Sequence, residues 1–69
     1  MHMVPVSSSN LVAVGYDAAT QTLRIQFHSG TYDYYNVPEH VYHGLLNAPS
    51  KGQYHHNHIK HAYPYRRIF

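Results

Sequence analysis

Seven consecutive residues, His55-His56-Asn57-His58-Ile59-Lys60-His61, concentrate imidazoles and an amine near the end of the chain. On a helix, His55 with His58, and His58 with His61, are three residues apart and share a side. Neutral imidazoles at that spacing can ligate zinc or nickel, with water or a distant group completing the shell. The chain has no cysteine, and its carboxylates are only Asp17, Asp33 and Glu39. A closed four-ligand zinc site is therefore not expected, nor any other cofactor. His55, His58 and His61 stand as the candidate metal ligands, against the plainer reading of a solvated histidine surface.

A second chemistry is phosphate binding. The cations are Arg24, Lys51, Lys60, Arg66 and Arg67. From Lys60 to Arg67, cationic and aromatic side chains are mixed, a combination that grips phosphates and stacks on exposed bases. Lys51 falls at the start of an expected helix, where free backbone amides also attract anions. Tyr65 or Tyr35 would supply the stacking ring. The competing reading is a solvated, mildly basic tail. Histidines and lysine together can also transfer protons. However, no spacing singles out an acid, a base and an oxyanion donor, and there is neither a phosphate-cradling glycine loop nor a nucleophile elbow. No enzymatic activity is expected.

Composition narrows the setting. A chain of 69 residues holds one domain, and one this short buries only roughly 60% of the surface its unfolded form exposes. Without cysteine there is no disulfide framework. No apolar run reaches membrane-spanning length, and Met1-His2-Met3-Val4-Pro5 lacks the pattern of a signal peptide. A soluble cytoplasmic protein is expected, with no membrane partner. Eight histidines accompany a formal charge of +2, so protonating all of them would give 2 + 8 = +10. Anion affinity should thus depend on pH.

The elements that must position these groups are read from period. Leu11 to Tyr16 is apolar and valine-rich, as in a strand. Asp17 to Gln21 is a turn. Thr22 to His28 alternates, with Leu23, Ile25 and Phe27 against Arg24, Gln26 and His28. Ser29-Gly30 reads as a two-residue hairpin loop leading to a third strand, Thr31 to Tyr35. That register pairs Tyr16 with Leu23, Val14 with Ile25, Val12 with Phe27, Phe27 with Tyr32, and Ile25 with Tyr34. Tyr32 and Tyr34 then belong to the core, while Leu11, Arg24 and Tyr35 fall on the opposite face. Asn36 or Val37 would cap a first helix with Pro38 in its first turn, and Val41, Tyr42, Leu45 and Leu46 form its apolar stripe. Ser50 to Gln53 is a capping box that opens a second helix, which Pro64 ends. Tyr65 to Phe69 is a tail. The expected fold is α+β, a three-stranded antiparallel meander followed by two C-terminal helices packed on one face. The single domain is 1–69, with its core at about 6–68.

The ordered set of these signals resembles the KTSC family. Val6-Ser7-Ser8-Ser9-Asn10, Val14-Gly15-Tyr16-Asp17, Leu23, Phe27 and Gly30 match its first half. Tyr32-Asp33-Tyr34, Val37-Pro38, Val41-Tyr42, Leu45-Leu46, Ala48, Ser50, Gly52, Tyr54, Ile59, Tyr63 and Arg66-Arg67-Ile68 match the rest. After Tyr54 the family usually carries an aromatic and an asparagine, where this chain has His55 and His56. KTSC domains stand alone or end some lysyl-tRNA synthetases, so the resemblance implies RNA or tRNA as ligand. The expected function is a small non-catalytic RNA-binding module. Lys51, Lys60, Arg66, Arg67 and Arg24 would meet phosphates, and Tyr65 or Tyr35 would stack. The alternatives are a protein-interaction adaptor, which would use the polar sheet face or an edge, and a metal-binding protein. Edge pairing could also give a dimer.

Overall fold

The alternation over Thr22–Phe27 becomes a central strand in the computed structural model, which describes residues 1–69. Along the chain come β1 (Met3–Pro5), β2 (Leu11–Asp17), β3 (Thr22–Phe27) and β4 (Gly30–Tyr34). They are followed by α1 (Glu39–Asn47), α2 (Lys51–His58) and β5 (Tyr65–Arg67). All neighbouring strands are antiparallel, in the order β1-β2-β3-β4-β5. The chain leaves the sheet after β4, builds both helices, and returns to lie beside β4. No helix is long and apolar enough to cross a membrane.

The three-stranded expectation is corrected to five. β1 and β5 are three residues each, too short to show a period, and β5 is exposed throughout. What reads as a solvated tail is an edge strand, with Tyr65 opposite Tyr34 and Arg67 opposite Tyr32.

The register differs in two places. Tyr16 faces Leu23 and Val14 faces Ile25 as expected, but an irregularity between Leu11 and Ala13 brings Leu11, not Val12, opposite Phe27. A bulge adds one residue to its strand and so reverses which side chains face in beyond it. Leu11 is accordingly 1% exposed and part of the core. The second hairpin turns at His28-Ser29 rather than Ser29-Gly30, pairing Phe27 with Gly30, Ile25 with Tyr32 and Leu23 with Tyr34. This is a slip of two residues. Because side chains alternate with period two, every residue keeps its expected face.

The core joins Leu11, Val14, Leu23, Ile25 and Tyr34 of the sheet to Val37, Val41, Leu45 and Ile59. Asn36 does not cap α1. It takes a left-handed turn at φ 60, and Pro38 is the N-cap, with extended backbone and no side-chain bond. Ser50 caps α2 as expected, its hydroxyl accepting from the Gln53 N–H at 3.3 Å. The helix stops at His58, well before Pro64, with Ile59 as its C-cap. Ile59 is wholly buried although no residue within α2 is. The seat of α2 on the core thus lies just past its end.

Candidate functional site

Four rings at one end of the sheet leave a cleft of about 330 Å³ beneath the end of α2. Phe27 comes from β3, Tyr32 and Tyr34 from β4, and Tyr65 from β5. Strand alternation is what gathers them. Tyr32 and Tyr34 share one face of β4, and pairing brings Tyr65 alongside. The centroids of Tyr32 and Tyr65 are 5.9 Å apart, those of Tyr34 and Tyr65 5.8 Å, and those of Phe27 and Tyr32 5.9 Å. These are contact distances for edge and tilted ring pairs. His55 of α2 closes the cleft from above, its ring 4.9 Å from Phe27 and 5.5 Å from Tyr34. Lys60, His61 and Ser29 complete the lining.

One polar bond crosses from sheet to helix. The Tyr34 hydroxyl and His55 Nε2 are 2.8 Å apart. Burial, with the Tyr32 and Tyr65 phenols adding to it, pushes the Tyr34 phenol up to about 12. Burial, reinforced by Lys60, His56 and His61, lowers His55 from 6.5 to about 4. At neutral pH both groups are uncharged, so the phenol O–H is the donor and an unprotonated Nε2 the acceptor. The cleft floor is neutral. Of the residues that line it, Lys60 and His61 are the ones able to carry positive charge toward a ligand at its mouth, and both are exposed.

The other expected phosphate contacts are scattered. Lys51 lines a separate, polar hollow of about 530 Å³ between residues 7–10 and the start of α2. Its Nζ donates to the Ala48 carbonyl at 3.0 Å. Arg67 is on the cleft side of β5 and donates to the Phe69 carbonyl at 2.7 Å and to the Ser29 carbonyl at 3.1 Å. A Cβ on Gly30 would sit 2.9 Å from Arg67 Nε, so a glycine there admits the guanidinium. Arg66 is opposite Asp33 and points to the far face. Arg24 is also on that face, its Nε and Nη2 donating to the two Asp33 carboxylate oxygens at 2.7 and 3.0 Å. Tyr35 lies near enough to Arg24 to help hold it protonated, behind the larger effect of Asp33. Arg66 and Arg67 are thus on opposite faces and form no joint grip.

The candidate metal ligands are not brought together. His55 turns to Tyr34, His58 lies 4.7 Å from the Tyr54 ring, and His61 lies 6.3 Å from His56. The helical spacing that would align them ends at His58, because residues 59–62 form turns. No group of three or more His, Cys, Asp or Glu side chains is gathered so as to hold a metal.

Lys60 and Tyr65, singled out in the sequence, both line the cleft, whereas its other walls are read there as core (Phe27, Tyr32 and Tyr34) or as a candidate metal ligand (His55). Reading Tyr65 to Arg67 as a strand would have set Tyr65 beside Tyr34, yet three exposed residues carry no signal for it.

Comparisons with known proteins agree on one family. A family model described as the KTSC domain matches residues 7–63. A KTSC domain protein from Yersinia pestis, known by crystal structure, superposes with a TM-score of 0.96 at 39% identity, covering 99% of this chain and 97% of that one. A lysine–tRNA ligase of a Nostoc species is 46% identical over 61 residues, which is 87% of this chain and 11% of the ligase. A protein of Tsukamurella paurometabola is 49% identical over 53 residues, covering 75% of this chain and 79% of that protein. The chain therefore spans only about a tenth of the ligases it matches.

Proposed function

Since the chain belongs to the KTSC domain family, we propose that it is a small non-catalytic binding module whose ligand is single-stranded RNA, held by an unstacked base in the aromatic cleft. The observation that carries this reading is the cleft itself, where Phe27, Tyr32 and Tyr65 meet Lys60 and His61 around about 330 Å³. That volume is at the lower end of ligand pockets, which run from roughly 300 Å³. Rings offer any base a stacking surface, and a cation beside them takes the neighbouring phosphate. The match to a segment of lysine–tRNA ligases favours RNA over other ligands that carry an aromatic ring and a negative charge. Arg24, Tyr35 and Arg66, on the other face, take no part.

The test is an amide-shift NMR titration with a short single-stranded RNA, chelator present, at two salt concentrations. Shifts at Phe27, Tyr32, His55, Lys60 and Tyr65 that weaken with salt are expected. Binding that leaves the cleft unshifted, or no binding at low salt, removes the reading. Partners that survive nuclease treatment of a lysate would then favour a protein-interaction adaptor.

A further inference from the structure

The aromatic cleft is one of three hollows, and they share walls. Phe27 and Ser29 belong to both the cleft and a hollow of about 320 Å³ at the β3–β4 turn. Ser9 and Asn10 belong to both that hollow and the polar one that holds Lys51. The three therefore adjoin in a row, each sharing walls with the next, from Tyr65 past His28 to Lys51. The row changes character along its length. Its Tyr65 end is half aromatic, whereas its Lys51 end is serine, asparagine, glutamine and lysine.

Charge follows the same line. None of the chain's Asp and Glu side chains lines the row. Asp33 is on the far face with Arg24, Glu39 pairs with His43 on α1, and Asp17 ends β2 at the opposite hairpin, where it accepts from the Ala19 N–H. Lys60 and Lys51 stand at the two ends with His61, His28 and His56 along the way. A polyanion laid on this row meets no Asp or Glu side chain.

We propose that the row is a track for several consecutive nucleotides of one strand, one base in the aromatic cleft and the backbone running past His28 into the polar hollow, where a phosphate meets Lys51. This rests on the RNA reading above and adds a second contact site, a direction and a length dependence. Lys51 is the residue that separates the two. It lines the polar hollow and not the cleft, one helical turn before His55, and its bond to Ala48 holds the amine at the hollow.

The experiment compares three probes on the full chain by NMR titration: uridine 5′-monophosphate, a six-nucleotide oligouridylate, and the same oligomer with Lys51→Ala. Circular dichroism confirms that the variant folds. The mononucleotide should shift the cleft alone. The oligomer should also shift residues 7–10, His28 and Lys51, and bind at least tenfold more tightly. Lys51→Ala should weaken the oligomer several-fold and flatten its log–log salt slope by about 0.7, the value of one single-strand phosphate contact, while leaving the mononucleotide unchanged. Equal affinities for the two probes, with shifts confined to the cleft, overturn the track and leave the cleft reading standing. An oligomer that binds without touching the cleft, or does not bind, overturns both. Lys51→Met is the second variant should Lys51→Ala misfold, since it keeps the stem and removes only the charge.

Discussion

His55 is half-buried against Phe27 and Tyr34, with Lys60, His56 and His61 nearby; burial first, and these basic neighbours after it, disfavour its charged form. Its folded pKa of about 4 lies below the ordinary 6.5. The unfolded chain thus takes up this proton first. The stability His55 contributes is whole above about 6.5 and is lost progressively as pH falls toward about 4. Urea unfolding between pH 7.5 and 4.5 should show a falling midpoint. In His55→Phe, which keeps a ring but cannot titrate, the fall should be smaller. An equal fall in both would remove His55 as its source. Arg24 poses a different residue-scale problem. Asp33 is 6% exposed and held by both guanidinium bonds. Arg24→Ala would strand that carboxylate, and the expected loss is about 2 kcal/mol, typical of a desolvated group left without its partner. The double change with Asp33→Ala should recover part of it, as denaturant titration of the four proteins would show.

Among the elements, α2 depends most on its neighbours. None of its residues is buried, so it is held by Tyr54 and His55 from within and by Ile59 beyond its end. Gly44 of α1 makes the Tyr54 contact possible. A Cβ there would fall 2.8 Å from Tyr54 Cζ, with the hydroxyl closer still. Gly44→Ala should therefore destabilise the fold by about 1–3 kcal/mol through overpacking, despite alanine's better helix propensity. With Tyr54→Ala present the clash is gone. The same change should then turn neutral or favourable, by up to about 1 kcal/mol; thermal melts of the four combinations decide it. This dependence explains what sequence could reveal. β3 was legible because Leu23, Ile25 and Phe27 alternate, and the start of α2 because Ser50 and Gln53 form a cap. The bulge at Val12 was not, since Leu11-Val12-Ala13 is apolar at every position and any register satisfies it. The end of α2 was hidden as well. His55 to His61 has no apolar period, and the helix stops where Ile59 must turn inward. In the site, Lys60 and Tyr65 stood out by residue type, whereas the track depends on loops 7–10 and 28–29, which only the folded chain brings into line.

For the whole molecule, the return of the chain as β5 joins architecture to site. Its three residues cover the edge of β4, with the Tyr35 N–H donating to the Pro64 carbonyl at 2.9 Å just before it and Thr31 bonded to Ile68 and Phe69 just after it. The same strand carries Tyr65 to the cleft and Arg67 to the turn at Ser29. Both edges of the sheet are thereby short, which limits pairing with other chains. Ending the chain after Pro64 would undo these together. The unpaired amides and carbonyls of β4 would face water along an edge rich in tyrosine, a template for association. The truncated protein should melt at a lower temperature and show larger species by sedimentation velocity, and it should lose affinity for the oligouridylate. Arg66→Ala is the control. Its side chain is exposed on the far face without a bond, so stability should change by no more than about 0.5 kcal/mol and RNA affinity not at all. If truncation lowers affinity while melting and mass are unchanged, β5 is a ligand-contacting flap and not a structural edge. If truncation and Arg66→Ala behave alike, β5 contributes to neither.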